Sequence, residues 1–458
     1  MKKAILLIFL ICIFFTSHGE EKCPHNEWPI AARSLSRNCC DLYPWEWTQK
    51  QTSVHLATST RLASRQRDTV PKLVGGTACG AGERFNVYDE CSLGSTDTEY
   101  KSALAHLIPV NNKFTSLEPL SIYVGQRDLD HFLSTAFPII PIPFILVVAQ
   151  EDSGSPLGLW GIPSRRHIVP VPKITKMNIT TFLEDSRLLR LYVQNFDFSV
   201  AVCRNYDGSN PKEKRKLPST SCQSQVNATL AQISPQAQAK IIPIPIGLDL
   251  HSLAELTGSK GTGKRTHMIT KIPECQQIAT LRAIQQYAGP WSQKRPCVSV
   301  TFDGGVNFAC RRASPPFFIC FREWILRWTR DGAKKGNFCI YEHIGSRNST
   351  WNGLASSAFG IAPPGHGTDT HRFWEMLLLN VVPVVISSSL DSLYNQFPCI
   401  ILDSWHNSLV HTPDVVNLWK KQIVDKWGPD PFTPALMHRL SSNYWADLIH
   451  KGEVPASF

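Results

Sequence analysis

Short apolar runs of strand length alternate with helical periodicity from about residue 119 to the end of the chain. The apolar runs predict strands at 120–124, 143–149, 198–202, 241–246, 297–302 and 381–386. The periodic stretches predict helices at 129–136, 179–191, 276–287 and 323–331. Strands that alternate with helices are typical of an open parallel sheet covered by helices. The pattern therefore predicts an α/β fold built from two such sheets.

The segmentation of this pattern predicts five regions of the chain. Residues 1–19 form a targeting segment, and residues 20–110 form a Cys-containing extension with weak periodicity. Residues 111–255 and 276–458 form two α/β domains. A flexible, basic linker at 256–275 separates them. In parallel sheets ligands bind beyond the carboxyl ends of the strands, so polar residues there are candidate site residues.

The N-terminal segment has the layout of a secretory signal peptide. Lys2 and Lys3 precede a 13-residue apolar run, which is shorter than the roughly 20 residues that span a bilayer. We expect cleavage, with an uncleaved anchor as the alternative and the only route to membrane attachment. The predicted location is the ER or Golgi lumen, or secretion.

An oxidising compartment changes how the cysteines are interpreted. The chain has 14 cysteines, and Cys203 and Cys222 flank a polar insert as candidate disulfide partners. No CxxC pair is present, so a structural zinc site is not expected. Three sequons, at Asn178, Asn227 and Asn348, predict glycosylation on surface loops.

The formal net charge of +10 favours anionic substrates such as nucleotide diphosphates or acidic glycans. Nucleic acid is not expected as a partner, because the compartment disfavours it and no nucleic-acid-binding motif is present. The stretch 258–264 matches most of a phosphate-binding loop. Arg265 stands where a magnesium-ligating Ser or Thr is needed, so we interpret it as a linker. Asp128 and Asp130 form a D-x-D, which a metal-dependent glycosyltransferase would use but which also suits a helix cap.

The most informative stretch is 359–386, which predicts a strand, a Gly/Pro loop, an amphipathic helix and a buried strand. Thr368 or Asp369 can cap the helix, whose N-terminus favours an anion. Arg372 and Glu375, three residues apart, share one helix face, and Asn380 suits a left-handed C-terminal cap. The alternative is an ordinary crossover in which the Arg–Glu pair lies on the surface.

This stretch resembles the C-terminal half of exostosin-like glycosyltransferases, a group that includes ribitol xylosyltransferase-like proteins. The matching motifs are Pro364-Gly-His-Gly-Thr-Asp369, then His371-Arg372 with Glu375, then Val382-Pro-Val-Val385. The Gly-Cys that usually precedes the last of these is replaced by Asn380-Val-Val382. Upstream landmarks extend the resemblance over about 119–405.

The resemblance implies a GT-B architecture, with two Rossmann-like domains facing a cleft and the sugar nucleotide held by the C-terminal domain. Glu375 would then accept hydrogen bonds from the ribose. The diphosphate would lie against Arg372 and the loop backbone of Gly365, His366, Gly367 and Thr368, with Arg311 or Arg312 helping. Asp369 is also expected among the residues that bind the nucleotide sugar. The base would be Asp152 or, second, Asp249. No metal and no tightly bound cofactor are expected.

The predicted function is transfer of a sugar from a nucleoside diphosphate, expected to be UDP, to a glycan or glycoprotein acceptor. Two alternatives remain at the level of the sequence. One is a secreted, catalytically inactive glycan-binding protein that kept the fold. The other is a metal-dependent GT-A enzyme that uses Asp128 and Asp130.

Overall fold

The computed structural model describes the second half of the chain almost continuously and the first half in pieces. The described residues are 54–56, 120–125, 129, 132–133, 137–140, 143–149, 155–156, 179–197, 231–248, 254–257, 268–271, 274–302, 321–342, 347–364, 368–440 and 442–455. The predicted strand at 198–202 and most of the predicted helix at 129–136 lie outside these residues. So do the targeting segment and all of the Cys-containing extension except Val54–Leu56.

The first sheet has five parallel strands in the order β1-β2-β3-β5-β7. They are β1 (Val54–Leu56), β2 (Leu120–Gly125), β3 (Phe144–Ala149), β5 (Leu188–Gln194) and β7 (Ile241–Ile244). Residues 144–148 of β3 are at most 1% exposed. A strand this apolar must be covered on both faces, which is the condition of a central parallel strand.

The second sheet also has five parallel strands, in the order β11-β10-β12-β13-β14. They are β10 (Arg295–Val300), β11 (Cys339–Glu342), β12 (Ser357–Ile361), β13 (Val382–Ile386) and β14 (Ile400–Leu402). From β10 the chain first moves to one side, to β11, and then crosses to the other side, to β12. The strand order therefore reverses between β10 and β12, which makes this the topological switch point of the sheet.

The remaining described elements are small strands and the helices that cover the sheets. The small strands are β4 (Ser155–Pro156), β6 (Phe196–Asp197), β8 (Ala254–Thr257) and β9 (Met268–Lys271). The helices are α1 (Ile179–Glu184), α2 (Pro235–Gln238), α3 (Glu274–Ala288), α4 (Phe321–Lys334), α5 (Arg347–Ala355), α6 (His371–Leu378), α7 (Asp391–Tyr394), α8 (Val415–Trp427), α9 (Pro434–Arg439) and α10 (Ser442–Lys451).

The α/β class with two Rossmann-like parallel sheets is confirmed, and one helix prediction is wrong. The periodicity at 179–191 predicted a single helix, but α1 ends at Glu184 and β5 begins at Leu188. Asp185 and Arg187 form a turn there, with Arg187 Nη2 2.8 Å from Asp185 Oδ2. Beyond the turn, pairing of β5 with both β3 and β7 outweighs the helical spacing.

The region predicted as a flexible linker contains regular structure at both of its ends. β8 and β9 pair in an antiparallel ladder from Ala254–Lys271 to Thr257–Met268. The helix α3 begins at Glu274, two residues earlier than the predicted start. The phosphate-loop-like stretch 258–265 lies between the two strands and outside the described residues.

One apolar core joins the two sheets. It contains Ile145 and Ile244 of the first sheet together with Phe373, Trp374 and Met376 of α6. The helix α6 is therefore buried against both halves of the protein. Its rings pack closely: the centroids of Phe373 and Trp374 are 4.9 Å apart.

The C-terminal helix α10 returns to the first sheet. Tyr192 Oη lies 2.7 Å from the carbonyl oxygens of both Leu448 and Glu453. Gly452 has a φ of +66°, and a Cβ there would lie 3.0 Å from Ile145 Cδ1. Burial raises the pKa of Tyr192, so this hydroxyl stays a neutral hydrogen-bond donor. The last helix thus ties the end of the chain to the first half.

A disulfide joins Cys297 of β10 to Cys339 of β11, which are directly opposed in the ladder with their Cα atoms 4.8 Å apart. The sequence did not single out this pair, and the predicted Cys203–Cys222 pair lies outside the described residues. Among the helices that the structure describes, none has the length and apolar character needed to cross a membrane.

Candidate functional site

The candidate site lies at the switch point of the second sheet. β10 ends at Val300 and is followed by Thr301 and Phe302, while β12 ends at Ile361 and is followed by 362–364. A crevice forms where neighbouring parallel strands lead their connections to opposite sides, and ligands of open α/β sheets bind there. The Gly/Pro loop singled out from the sequence leaves β12 at this point.

The helix α6 brings its first turn over this edge. Because β12 and β13 are parallel, α6 must run back along the sheet, and its N-terminus therefore lies over the carboxyl ends of the strands. The contact is close at Gly360, where a Cβ would lie 2.7 Å from Met376 Cε. Arg372, one helical turn before Met376, extends the same face toward the switch point.

Arg372 and Glu375 form an ion pair with Nη1 and Oε2 2.7 Å apart. The side chain of Glu375 is only 4% exposed and that of Arg372 is 26% exposed. Glu375 is thus buried and Arg372 is partly buried, so the pair does not lie on the open surface as in the ordinary-crossover alternative. Neither atom has hydrogen-bond geometry to a partner among the residues that the structure describes. Buried charges normally gain such bonds, so this pair retains unused hydrogen-bonding capacity.

Thr301 adds a third buried polar group to the same edge. It is 5% exposed, and its Oγ1 has no hydrogen-bond partner among the described residues. Side chains alternate along a strand, so Thr301 shares a face with Ser299, which pairs with Gly360 beneath α6. Thr301, Arg372 and Glu375 therefore converge on one side of the switch point. We call these three residues the polar trio.

Arg322 bridges the two strand ends. It lies in the first turn of α4, and its Nε donates to the carbonyl oxygen of Pro364 at 3.1 Å. Its guanidinium lies 5.7 Å from the ring centroid of Phe302, just beyond β10. This side chain fixes the start of the Gly/Pro loop and brings a second cation to the same edge as Arg372.

Asp369 lies in the interior between the two halves, where three protein groups donate hydrogen bonds to its carboxylate. Its oxygens accept from Ile246 N at 2.8 Å, Trp374 Nε1 at 3.0 Å and Tyr394 Oη at 3.1 Å. Its own N–H donates to Asn195 Oδ1 at 2.9 Å. The residue is 2% exposed, and burial raises the pKa of Asp369 to about 6. Asp369 therefore joins the two sheets instead of facing a ligand.

The predicted helix cap is also wrong. α6 begins at His371, and its N-cap is Thr370, whose side chain makes no capping hydrogen bond. Neither Thr368 nor Asp369 caps the helix, because the backbone of Asp369 is held across the interface by Asn195. By contrast, the left-handed cap predicted at Asn380 is confirmed, with a φ of +55°.

Two further contacts connect the strand ends of both sheets near α6. His371 Nδ1 lies 2.7 Å from the carbonyl oxygen of Gly247, which follows β7. Ser389 Oγ donates at 2.8 Å to the carbonyl oxygen of Phe196, which follows β5. With Nδ1 donating to a carbonyl, the neutral His371 ring has its lone pair on Nε2. The carboxyl ends of the two sheets therefore face each other around the start of α6.

The structure describes only part of the predicted site. It brings Arg372 and Glu375 together, places Thr368 half-buried next to Asp369, and leaves Asn348 exposed in the first turn of α5. Predicted residues outside the described part of the chain are Asp152, Asp249, Gly365, His366, Gly367, Arg311, Arg312, Asn178, Asn227, Asp128 and Asp130.

Sequence reasoning missed Thr301 and Arg322 as members of this edge, and it named His371 only as part of the matching motif. A signal existed for Thr301, because it is a polar residue directly after an apolar strand. No signal could have found Arg322. Its contact with Pro364 depends on how α4 packs, 42 residues away in sequence.

No protein-family model matches the chain, and no curated protein matches it. Among solved structures, one described as "Trehalose-6-phosphate from E. coli bound with UDP-2-fluoro glucose" is 10% identical, with a TM-score of 0.30. The match covers 78% of this chain and 79% of that one. A UDP-forming α,α-trehalose-phosphate synthase from Burkholderia xenovorans is also 10% identical, with a TM-score of 0.31. That match covers 76% of this chain and 77% of the synthase chain. Likeness at this level does not transfer an activity.

Proposed function

We propose that the protein is a glycosyltransferase of GT-B type that uses a nucleoside-diphosphate sugar as donor. The observation that carries this proposal is the polar trio at the switch point of the second sheet. Three buried side-chain atoms there have no hydrogen-bond partner within the described part of the chain, and two of them belong to Arg372 and Glu375, which the sequence motif singled out. A ligand with both anionic and hydroxyl groups would satisfy them.

The chemistry of each group matches a part of such a donor. Departure of the sugar leaves negative charge on the diphosphate, and cations fixed in a water-poor site stabilise that charge. Arg372 and Arg322 supply two cations at this edge. Glu375, as a buried carboxylate, would accept from the ribose hydroxyls. The Gly/Pro loop residues Gly365, His366, Gly367 and Thr368 would contribute backbone N–H groups, with Arg311 and Arg312 beyond β10.

Transfer with inversion also needs a base that deprotonates the acceptor hydroxyl. Asp152 and Asp249 remain our candidates. Asp249 follows Gly247 by two residues, and the Gly247 carbonyl contacts His371 at the start of α6. This contact supports a base supplied by the first half of the protein, opposite the donor.

Membership of the exostosin-like family, a UDP-sugar donor and a glycan or glycoprotein acceptor are further parts of the proposal, supported by the motif at 359–386. Location in the ER or Golgi lumen rests on the signal-like residues 1–19. The Cys297–Cys339 disulfide supports that location, because such bonds persist in oxidising compartments.

A panel of sugar nucleotides tests the proposal. Binding is measured by calorimetry and donor hydrolysis by release of nucleoside diphosphate, with parent, Arg372→Ala and Glu375→Ala. We expect the parent to bind at least one donor and each variant to bind at least tenfold more weakly. Loss of one charge-assisted hydrogen bond costs about 1.5–3 kcal/mol. Chelator should leave activity unchanged, whereas a GT-A enzyme would lose it.

The matched control is a second Arg–Glu pair. Arg330 and Glu342 contact each other at 2.8 Å on the exposed side of α4 and β11. Arg330→Ala and Glu342→Ala should bind donor like the parent. If the Arg372 and Glu375 variants fold and also bind like the parent, the proposed site is wrong. Donor binding without any hydrolysis or transfer would favour the catalytically inactive binding protein instead.

A further inference from the structure

A pair of histidines lies on the surface, outside the proposed donor site. A single turn of π-helix, Asn407–His411, follows β14, with His406 as its N-cap residue. The wide π-helical turn brings residues five apart to the same side. The Nε2 atoms of His406 and His411 lie 3.0 Å apart, with ring centroids at 4.7 Å and ring planes at 89°.

The backbone that carries these rings is fixed by packing against α4. Leu409 is fully buried and Val410 is 7% exposed. Asn337 Nδ2 donates to both of their carbonyl oxygens, at 3.3 Å and 3.2 Å. A Cβ at Gly332 would lie 2.1 Å from Leu409 O, so only glycine permits this approach. The inner side of the turn is therefore rigid, while both histidines face outward.

The ring of Trp328 packs against His406 on the exposed side of the π-helical turn. Its centroid lies 5.6 Å from that of His406, which restricts the rotamers that His406 can adopt. Two preoriented imidazoles lose less conformational freedom on binding a shared ion than two mobile ones. The pair is thus positioned before any ligand arrives.

We propose that His406 and His411 form a surface site for a divalent transition-metal ion. Imidazole nitrogens bind such ions at about 2.0–2.1 Å, and two nitrogens 3.0 Å apart would then subtend about 95° at the ion. That angle is close to the cis angle of square-planar or octahedral coordination. It is smaller than the tetrahedral angle of about 109°, which zinc prefers. The geometry therefore favours Cu²⁺ or Ni²⁺ over Zn²⁺.

The site has two protein ligands. Within the described part of the chain, no group of three or more His, Cys, Asp or Glu side chains is placed to hold a metal. Water would complete the coordination, as expected for an exposed and exchangeable site. An ion bound to both rings would join the two ends of the π-helical turn and stabilise it.

Titration of untagged, purified full-length protein with CuCl₂, NiCl₂ or ZnCl₂ tests the proposal. Calorimetry gives affinity, thermal unfolding gives stabilisation, and electron paramagnetic resonance of the Cu²⁺ form reports nitrogen ligands. We expect Cu²⁺ to bind most tightly and to raise Tm. His406→Gln and His411→Gln should each weaken that binding at least tenfold and remove the two-nitrogen signature.

His438→Gln is the control, because His438 lies in α9, away from the pair. It should bind Cu²⁺ like the parent. The proposal is overturned if the parent binds no more tightly than the His406→Gln/His411→Gln double variant. It is also overturned if only one of the two single variants loses affinity, since a shared ion requires both rings. In those cases the contact is only an imidazole–imidazole hydrogen bond.

Discussion

The two ends of α6 differ in whether buried polar groups find partners inside the protein. At its C-terminal end, Lys294 Nζ donates to Ala355 O at 2.9 Å and to Leu379 O at 2.5 Å. This one ammonium caps the ends of both α5 and α6. Nearby, Asn380 Oδ1 accepts from Gln285 Nε2 at 3.0 Å.

At the N-terminal end, Thr301 Oγ1, Arg372 Nη1 and Glu375 Oε2 have no such bonds to any described residue. Thr301 and Glu375 are 5% and 3% exposed and Lys294 is 7% exposed, so for these groups a difference in solvent access does not explain the contrast. Native proteins pair nearly all buried polar groups, and an unpaired set usually marks a strained or functional place. The contrast teaches that the C-terminal end of α6 stabilises the fold and the N-terminal end is left for a ligand.

The largest expected effect is at the C-terminal end. Lys294→Met should lower the free energy of unfolding by about 2–6 kcal/mol, because two buried carbonyls each lose a partner at about 1–3 kcal/mol. Chemical denaturation measures this change, and Lys334→Met, an exposed lysine of α4, is the control. Burial lowers the pKa of Lys294 to about 7, below about 10.4 in the unfolded chain, so folding favours the neutral amine. The loss should therefore be largest near pH 10, where the amine still donates to both carbonyls, and should shrink as pH falls toward 7.

Donor binding per folded molecule should be unchanged in Lys294→Met. If binding falls as strongly as in Arg372→Ala, the two ends do not have separate roles.

The next effect concerns Asp369, which joins the sheets just before α6. Burial raises its pKa to about 6, above about 3.9 in the unfolded chain, so folding favours the protonated form. Its stabilising contribution is fully present below about pH 4 and is lost as pH rises through about 6. The total is about 3 kcal/mol, since each pKa unit corresponds to about 1.4 kcal/mol.

Asp369→Asn should remove this part of the pH dependence while it keeps the side-chain shape and one acceptor oxygen, toward Ile246 N. Its new amide N–H can donate to the Tyr394 hydroxyl, which can reverse its role. Denaturant unfolding from pH 4 to 7.5 measures it, with the exposed Asp425→Asn as the control. An Asn variant with the same pH dependence as the parent would show that Asp369 stays ionised.

The smallest effect is at the switch point itself. Thr301→Val removes a buried hydroxyl that has no partner, so stability should stay unchanged or rise by up to about 1 kcal/mol. Donor affinity should fall about three- to tenfold, which calorimetry detects. The matched control is Thr329→Val. Thr329 is also buried, but its Oγ1 has a partner, because it donates to Ile325 O at 2.7 Å.

Thr329→Val should lose about 1 kcal/mol of stability and keep its affinity. A Thr301→Val protein that loses stability without losing affinity would assign the hydroxyl to the fold rather than to the ligand.

The fold was largely predictable because its strands are unusually apolar. The runs at 143–149 and 241–246 are predicted as strands because burial on both faces leaves no alternation to obscure them. The strand at 120–124 is also predicted from its apolar run. β5 was missed because Leu188, Leu191 and Tyr192 also match helical spacing. Its neighbours β3 and β7, far away in sequence, decide its conformation.

For the site, the sequence by itself determined the local elements and their chemistry. The spacing of Arg372 and Glu375 on one helix face follows from 3.6 residues per turn, and the left-handed Asn380 follows from its position after the helix. Local geometry fixes these features, so no long-range contact was needed to infer them.

Only the tertiary structure decided which polar groups face a ligand and which hold the fold. Asp369 and Glu375 are both acidic residues in the same motif, and nothing local distinguishes them. Asp369 accepts hydrogen bonds from Ile246, Trp374 and Tyr394, and Ile246 follows a strand of the other sheet. The side chain of Glu375 contacts only Arg372 among the charged groups that the structure describes. The hydrogen bonds available to a buried group depend on what packs against it, and that packing is set by the whole chain.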